Sequence, residues 1–79
     1  MDVKLKIGLR IKSLRETAKM SQKDLSFASD LDRSYIASIE NGRRNVSIVN
    51  IEKIAKALNV NLKEFFNDDE FDKYSGSSR

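Results

Sequence analysis

Apolar residues recur along this chain at spacings of three and four rather than two, the period of an amphipathic helix. Val3, Ile7, Ile11 and Leu14 lie on one stripe of a first helix, widened by Leu5 and Leu9, with Lys4, Lys6, Lys12, Arg15 and Lys19 on the remainder. Ser21, with Asp24 three places on, reads as an N-cap close to a capping box and opens a short second helix carrying Leu25 and Ala28. After a break at Asp30 and Leu31, Asp32 caps a third helix with Ile36 and Ile39, which Asn41 and Gly42 stop. Ser47 caps a fourth, with Ile48, Ile51, Ile54, Ala55 and Leu58 on its apolar side and Asn59 as terminator. Asn61 caps a fifth containing Leu62, Phe65 and Phe66. No proline interrupts the pattern, so the expected fold is all-α.

At 79 residues the chain has room for one core, because a domain of about 60 residues buries only about 60% of its unfolded surface. No repeat or linker divides residues 1 to 66, and the composition turns polar and small from Asn67. The expected organisation is one domain over 1–67 and an acidic, polar tail over 68–79 that frays. Hydrophobic residues make up 39% and charged residues 34%, a balance that permits a folded core and argues against wholesale disorder.

Cysteine and histidine are both absent, which removes disulfides, thiolate metal sites and the commonest metal ligand and general base. The carboxylates fall at caps or in the tail, and three dispersed glycines build no phosphate loop. No enzyme activity, metal or cofactor is expected, and no pocket for a small-molecule effector is evident. No apolar run approaches the roughly 18 residues of a membrane span, and the charged start (Asp2, Lys4, Lys6) is unlike a signal peptide, so a cytoplasmic protein without membrane contact is expected.

Net charge is +3 but unevenly placed: residues 1 to 45 hold ten Lys/Arg against six Asp/Glu, whereas residues 64 to 79 hold two against five. A basic front suits a polyanion, although such an excess also occurs on ordinary surfaces. The second and third helices, each short and parted by about two residues, have the local form of a helix-turn-helix, which sets its second helix in a DNA major groove.

Ser21-Gln22-Lys23-Asp24-Leu25, Leu31-Asp32-Arg33-Ser34-Tyr35-Ile36 and Ile39-Glu40-Asn41-Gly42 resemble the Cro/C1-type helix-turn-helix family. With Arg44-Asn45, the run from Leu31 looks most like the controller proteins of bacterial restriction-modification systems. The resemblance spans roughly residues 5 to 66. It implies a compact five-helix, lambda-repressor-like domain that binds DNA and regulates transcription. It also implies a partly buried pair between Arg10 and Glu40, which places both outside the site. Asp30 stands where Gly is usual at the turn, Ser26 and Ser29 hold two positions of small residues in helix two, and Ala37 replaces a frequent Ser.

With Ile36 and Ile39 facing the core, Arg33, Ser34, Ala37, Ser38 and Asn41 share the opposite face of helix three. The small residues Ser34, Ala37 and Ser38 allow close approach to a groove, and Arg33 can reach O6 and N7 of guanine, so these four are the expected base contacts. The alternative is an ordinary solvated face. Expected backbone contacts are Gln22, at the positive end of helix two, together with Tyr35, Asn41, Arg43, Arg44, Asn45 and Ser47. For Tyr35, packing at the core edge stays open beside a phosphate or base contact. Ser47 and Asn50, at the start of helix four, form a second possible phosphate anchor, although Ser47 is also explained as a cap and Asn50 as an ordinary surface residue.

One recognition helix with two or three base contacts, at about 1–3 kcal/mol each, discriminates too weakly to find one genomic site. A homodimer on an inverted-repeat operator in double-stranded DNA is therefore expected. The expected interface is Ile48, Val49, Ile51, Leu62, Phe65 and Phe66, unless helix five only closes the monomer. RNA polymerase is a further candidate partner. Two other readings remain: a phage-type repressor, and an antitoxin whose acidic segment (Glu64, Asp68, Asp69, Glu70, Phe71, Asp72, Tyr74) neutralises a toxin.

Overall fold

Five helices and a closing turn of 3-10 helix make up residues 2–72, the part of the chain described by the computed structural model. They are α1 (Val3–Thr17), α2 (Gln22–Ser29), α3 (Arg33–Glu40), α4 (Ile48–Ala57) and α5 (Leu62–Phe65), with the 3-10 turn at Asp69–Asp72. No described helix is long and apolar enough to cross a membrane.

The helix starts follow from their caps. Ser21 and Asp24 form a complete capping box, each side chain accepting from the other's backbone N–H at 2.9 Å. Ser47 accepts from the N–H of Asn50 and Asn61 from that of Glu64. Asp32 occupies the N-cap of α3, but its carboxylate makes no cap bond, unlike the expectation. α1, α3 and α4 end alike. Lys19, Gly42 and Asn59 turn left-handed, at φ 58°, 74° and 62°, and the next N–H returns to a carbonyl of the last turn: Met20 to Arg15, Arg43 to Ser38, Val60 to Ala55.

Each helix gives the core its inward stripe: Ile7 and Ile11, Leu25, Ile36 and Ile39, then Ile51, Ile54, Ala55 and Leu58, and finally Phe65. Phe65, Ile11, Leu25, Ile36, Ile39 and Ile54 are fully buried, each contributing about 1.5–3 kcal/mol. Several apolar residues lie outside this stripe. Val3, Leu9, Ile48 and Val49 are exposed, Phe27 is 78% exposed, and Ala28 is exposed while Ser29 is buried in its place.

Gly8 sets how closely α1 crosses the end of α3. A Cβ there would collide with the Ile39 carbonyl oxygen and lie 3.0 Å from that of Glu40. Arg10, two residues on, ties α1 to α5, its Nε donating to the Phe65 carbonyl at 2.7 Å and its Nη2 to that of Glu64 at 2.8 Å. A cation there satisfies the carbonyls that a helix C-terminus leaves without partners.

Residues 68–72, expected to fray, are folded onto the domain. Asp68 lies 3.7 Å from Arg10, and the Phe71 ring meets that of Phe66 edge-on at 5.2 Å. The packed structure therefore runs past the boundary expected after residue 67, because Phe66 offers Phe71 an apolar face. The rest of the expected tail, including Tyr74, lies outside the described residues.

Candidate nucleic-acid interface

α2 and α3 pack against one another across a tight turn at Asp30–Asp32. Asp30 takes the left-handed conformation (φ 59°, ψ 37°) that its position requires. The hydroxyl of Ser26 donates to the Leu31 carbonyl at 2.6 Å, and that of buried Ser29 to the Leu25 carbonyl at 2.7 Å. The two serines thus satisfy their own polarity against nearby main-chain carbonyls, which lets them fill two positions of small residues.

α3 buries Ile36, Ile39 and Glu40 and turns its opposite face outward. Arg33, Ser34 and Asn41 are exposed, with Ala37 and Ser38 half-buried beside them. The Ser38 hydroxyl donates to the Ser34 carbonyl at 3.0 Å, so its oxygen remains as an acceptor. Arg43, Arg44, Asn45 and Ser47 follow on the α3–α4 connection and are all exposed, so these expected contacts are accessible at the surface.

The ion pair that anchors α3 is not the one expected. Arg15, rather than Arg10, reaches Glu40, with Nε–Oε2 at 2.7 Å and Nη2–Oε1 at 3.0 Å, while its Nη1 donates to the Met20 carbonyl at 2.8 Å. The hydrogen bond to Glu40 is the main cause that raises the Arg15 pKa above its ordinary value, against the opposing effect of burial. Arg15 follows Ile7 and Ile11 at a spacing of four, so its place on the buried stripe was a signal in the sequence. Arg10 points instead to the α5 carbonyls. Gln22, an expected phosphate contact, donates from Nε2 to Glu40 Oε1 at 3.1 Å. Its side chain is thus tied to the anchor, while the start of α2 stays at the surface.

Tyr35 meets the core edge and the α3–α4 connection at once. Asn50 donates from Nδ2 to its Oη at 3.0 Å, and the Arg44 guanidinium lies over its ring, 5.0 Å from the centroid. Asn50, a possible phosphate anchor by its place at the start of α4, is half-buried and bonded to Tyr35 instead. It precedes Ile54 and Leu58 at a spacing of four, the signal that marks it as inward-facing.

The expected interface set divides in two. Phe65 is wholly buried and Ile51 is 6% exposed, so neither offers surface to another chain. The two phenylalanines point different ways, and the first fills the core, with Phe66 meeting it edge-on at 4.9 Å. Ile48 and Val49 are 58% and 60% exposed, and Leu62 and Phe66 are half-buried. Leu62 also lines a shallow groove with Glu52, Lys56, Val60 and Asn61, between α4 and α5. Among the described residues there is no cluster of metal-ligating side chains.

Comparison with known proteins agrees with this architecture. The helix-turn-helix family matches residues 11–65. Control protein C.MunI of a Mycoplasma species is 49% identical over 68 residues, which cover 85% of this chain and 92% of that one. The restriction-modification controller protein C.AhdI from Aeromonas hydrophila superposes with a TM-score of 0.77 at 48% identity, over 80% of this chain and 91% of its own. The controller protein C.Esp1396I, solved as a tetramer with its natural 35 base-pair operator, superposes with a TM-score of 0.79 at 39% identity, over 84% and 87%.

Proposed function

The chain belongs to the helix-turn-helix family of restriction-modification control proteins, and from that membership we propose that it regulates transcription by binding an inverted-repeat operator in double-stranded DNA as a homodimer. The observation that carries this reading is the outward face of α3, small and polar at its centre, flanked by Arg43 and Arg44 and held by the Arg15–Glu40 pair. Arg33, Ser34, Ala37 and Ser38 read base edges, with Arg33 suited to the paired acceptors of guanine. Tyr35, Asn41, Arg43, Arg44, Asn45, Ser47 and the start of α2 at Gln22 meet the backbone. A controller relative solved with its operator supports the choice of partner.

Dimerisation is assigned to Ile48, Val49, Leu62 and Phe66, with the groove beside Glu52 and Lys56. RNA polymerase is a further partner by virtue of the regulatory role, and action on bacterial-type operators places the protein in the cytoplasm. No catalytic role is assigned, in keeping with the family. The antitoxin reading loses support because Asp68 pairs with Arg10 and Phe71 packs on Phe66.

The test is a titration of labelled duplex DNA at several salt concentrations. Affinity should fall steeply with salt. Arg43→Ala should weaken binding to all sequences and reduce the logarithmic salt slope by about 1, whereas Arg33→Ala should relax preference at one base pair. Affinity independent of salt would overturn the reading.

A further inference from the structure

We propose that Asn50 is a positioning residue of the DNA interface, which sets the direction of the Tyr35 hydroxyl so that its proton points outward as a hydrogen-bond donor to an acceptor on DNA. This rests on the DNA-binding reading above and adds to it a residue on α4 that touches no base itself.

A tyrosine hydroxyl has one proton to donate and lone pairs to accept with. Asn50 Nδ2 donates to Oη at 3.0 Å, which uses a lone pair and not the proton. Among the described residues no acceptor takes that proton, so it is available at the edge of α3. The main chain of Asn50 is anchored. It lies in the first turn of α4, and its backbone N–H is bonded to the Ser47 hydroxyl at 3.1 Å. The ring is restrained on its face as well, by the Arg44 guanidinium at 5.0 Å. A side chain fixed at both ring face and hydroxyl loses little freedom on binding, which favours affinity.

The direction of the bond also decides which groups Tyr35 can meet. A donor pairs with a phosphate oxygen, with O6 or N7 of guanine, with N7 of adenine or with O4 of thymine, and not with an exocyclic amino group. The reverse amide orientation would draw the hydroxyl proton inward and remove that donor.

The experiment uses the full chain and two duplexes: one that the protein enriches from a random pool, and an unrelated sequence of equal length. Asn50→Ala and Asn50→Asp are measured alone and combined with Tyr35→Phe. Asn50→Ala should weaken the enriched duplex about three- to tenfold, and by less than twofold when Tyr35→Phe is already present. Asn50→Asp, which accepts the hydroxyl proton, should cost more than Asn50→Ala. The excess over its effect in the Tyr35→Phe background separates the hydroxyl from the added charge. Thermal unfolding of Asn50→Ala should stay within a few degrees, because the Ser47 cap bonds the main chain.

Loss on both duplexes identifies a phosphate as the acceptor, and loss confined to the enriched one identifies a base. Equal losses with and without Tyr35→Phe, or no loss at all, would overturn the role of Asn50. If the wild-type protein enriches no duplex, the DNA-binding reading itself fails.

Discussion

Arg15 on α1 clasps Glu40, the last residue of α3, through two hydrogen bonds of 2.7 and 3.0 Å, with only 11% and 4% of the two side chains exposed. The same guanidinium holds the Met20 carbonyl, and the same carboxylate receives Gln22 from α2. Three helices thus share one charged joint, and the angle at which α3 presents its outer face depends on it. Arg15→Ala would leave the Glu40 carboxylate buried beside Gln22 alone. The expected loss is about 3–5 kcal/mol, a large part of the roughly 4–12 kcal/mol that a domain of this length holds. Chemical denaturation followed by circular dichroism measures it. A loss below 1 kcal/mol would mean that the joint is not structural.

Gly8→Ala raises helix propensity, and in an open helix it would stabilise by about 0.5–1 kcal/mol. Here the added methyl meets the Ile39 carbonyl, so the sign reverses and a destabilisation of about 1–3 kcal/mol is expected. Because the clash lies at the end of α3, affinity for DNA should fall with stability. Unchanged or increased stability would show that α1 and α3 are not in close contact.

The capping box gives the protein a definite acid response. Hydrogen bonding to the Ser21 backbone, and next to its hydroxyl, holds the Asp24 carboxyl below its ordinary 3.8. The folded value is the lower one, so the unfolded chain binds the proton first as pH falls. The stabilisation is complete above the ordinary value and is lost as pH drops through it towards the folded value. Asp24→Asn should lower stability at neutral pH and flatten this acid limb. Parallel stability curves for the two proteins between pH 2 and 5 would contradict it.

Lys19 ends α1 with φ 58°, a conformation that costs a lysine about 1 kcal/mol relative to glycine. Lys19→Gly should therefore stabilise by up to about 1 kcal/mol, and Asp30→Gly by less, since Asp tolerates the left-handed region better. The pair of melting temperatures tests the order.

Much of this was legible in the chain because caps and apolar period are local. Ser21, Ser47 and Asn61 start helices where the sequence places them, and Gly42 and Asn59 stop them. What escaped was tertiary. Arg10 and Arg15 are equally basic; the spacing of Arg15 after Ile7 and Ile11 marks it as inward-facing, but that Glu40 is its partner follows from the crossing of α1 over α3. Phe65 and Phe66 are adjacent, and about 100° of helix rotation separates a core residue from a surface edge. Gly8 carried a signal of its own, since glycine inside a helix costs stability unless another backbone comes close. The Asn50–Tyr35 bond joins residues 15 apart, and no local pattern announces a side-chain pair at that separation.

Selection of binding sites from a random duplex pool at about physiological salt tests most directly whether the outer face of α3 reads a two-fold operator. The expected result is an enriched inverted repeat with half-sites about 34 Å apart, in which Arg33→Ala relaxes the preference at one base pair of each half-site and added salt weakens binding steeply. Recovery of no common sequence from the pool would contradict it.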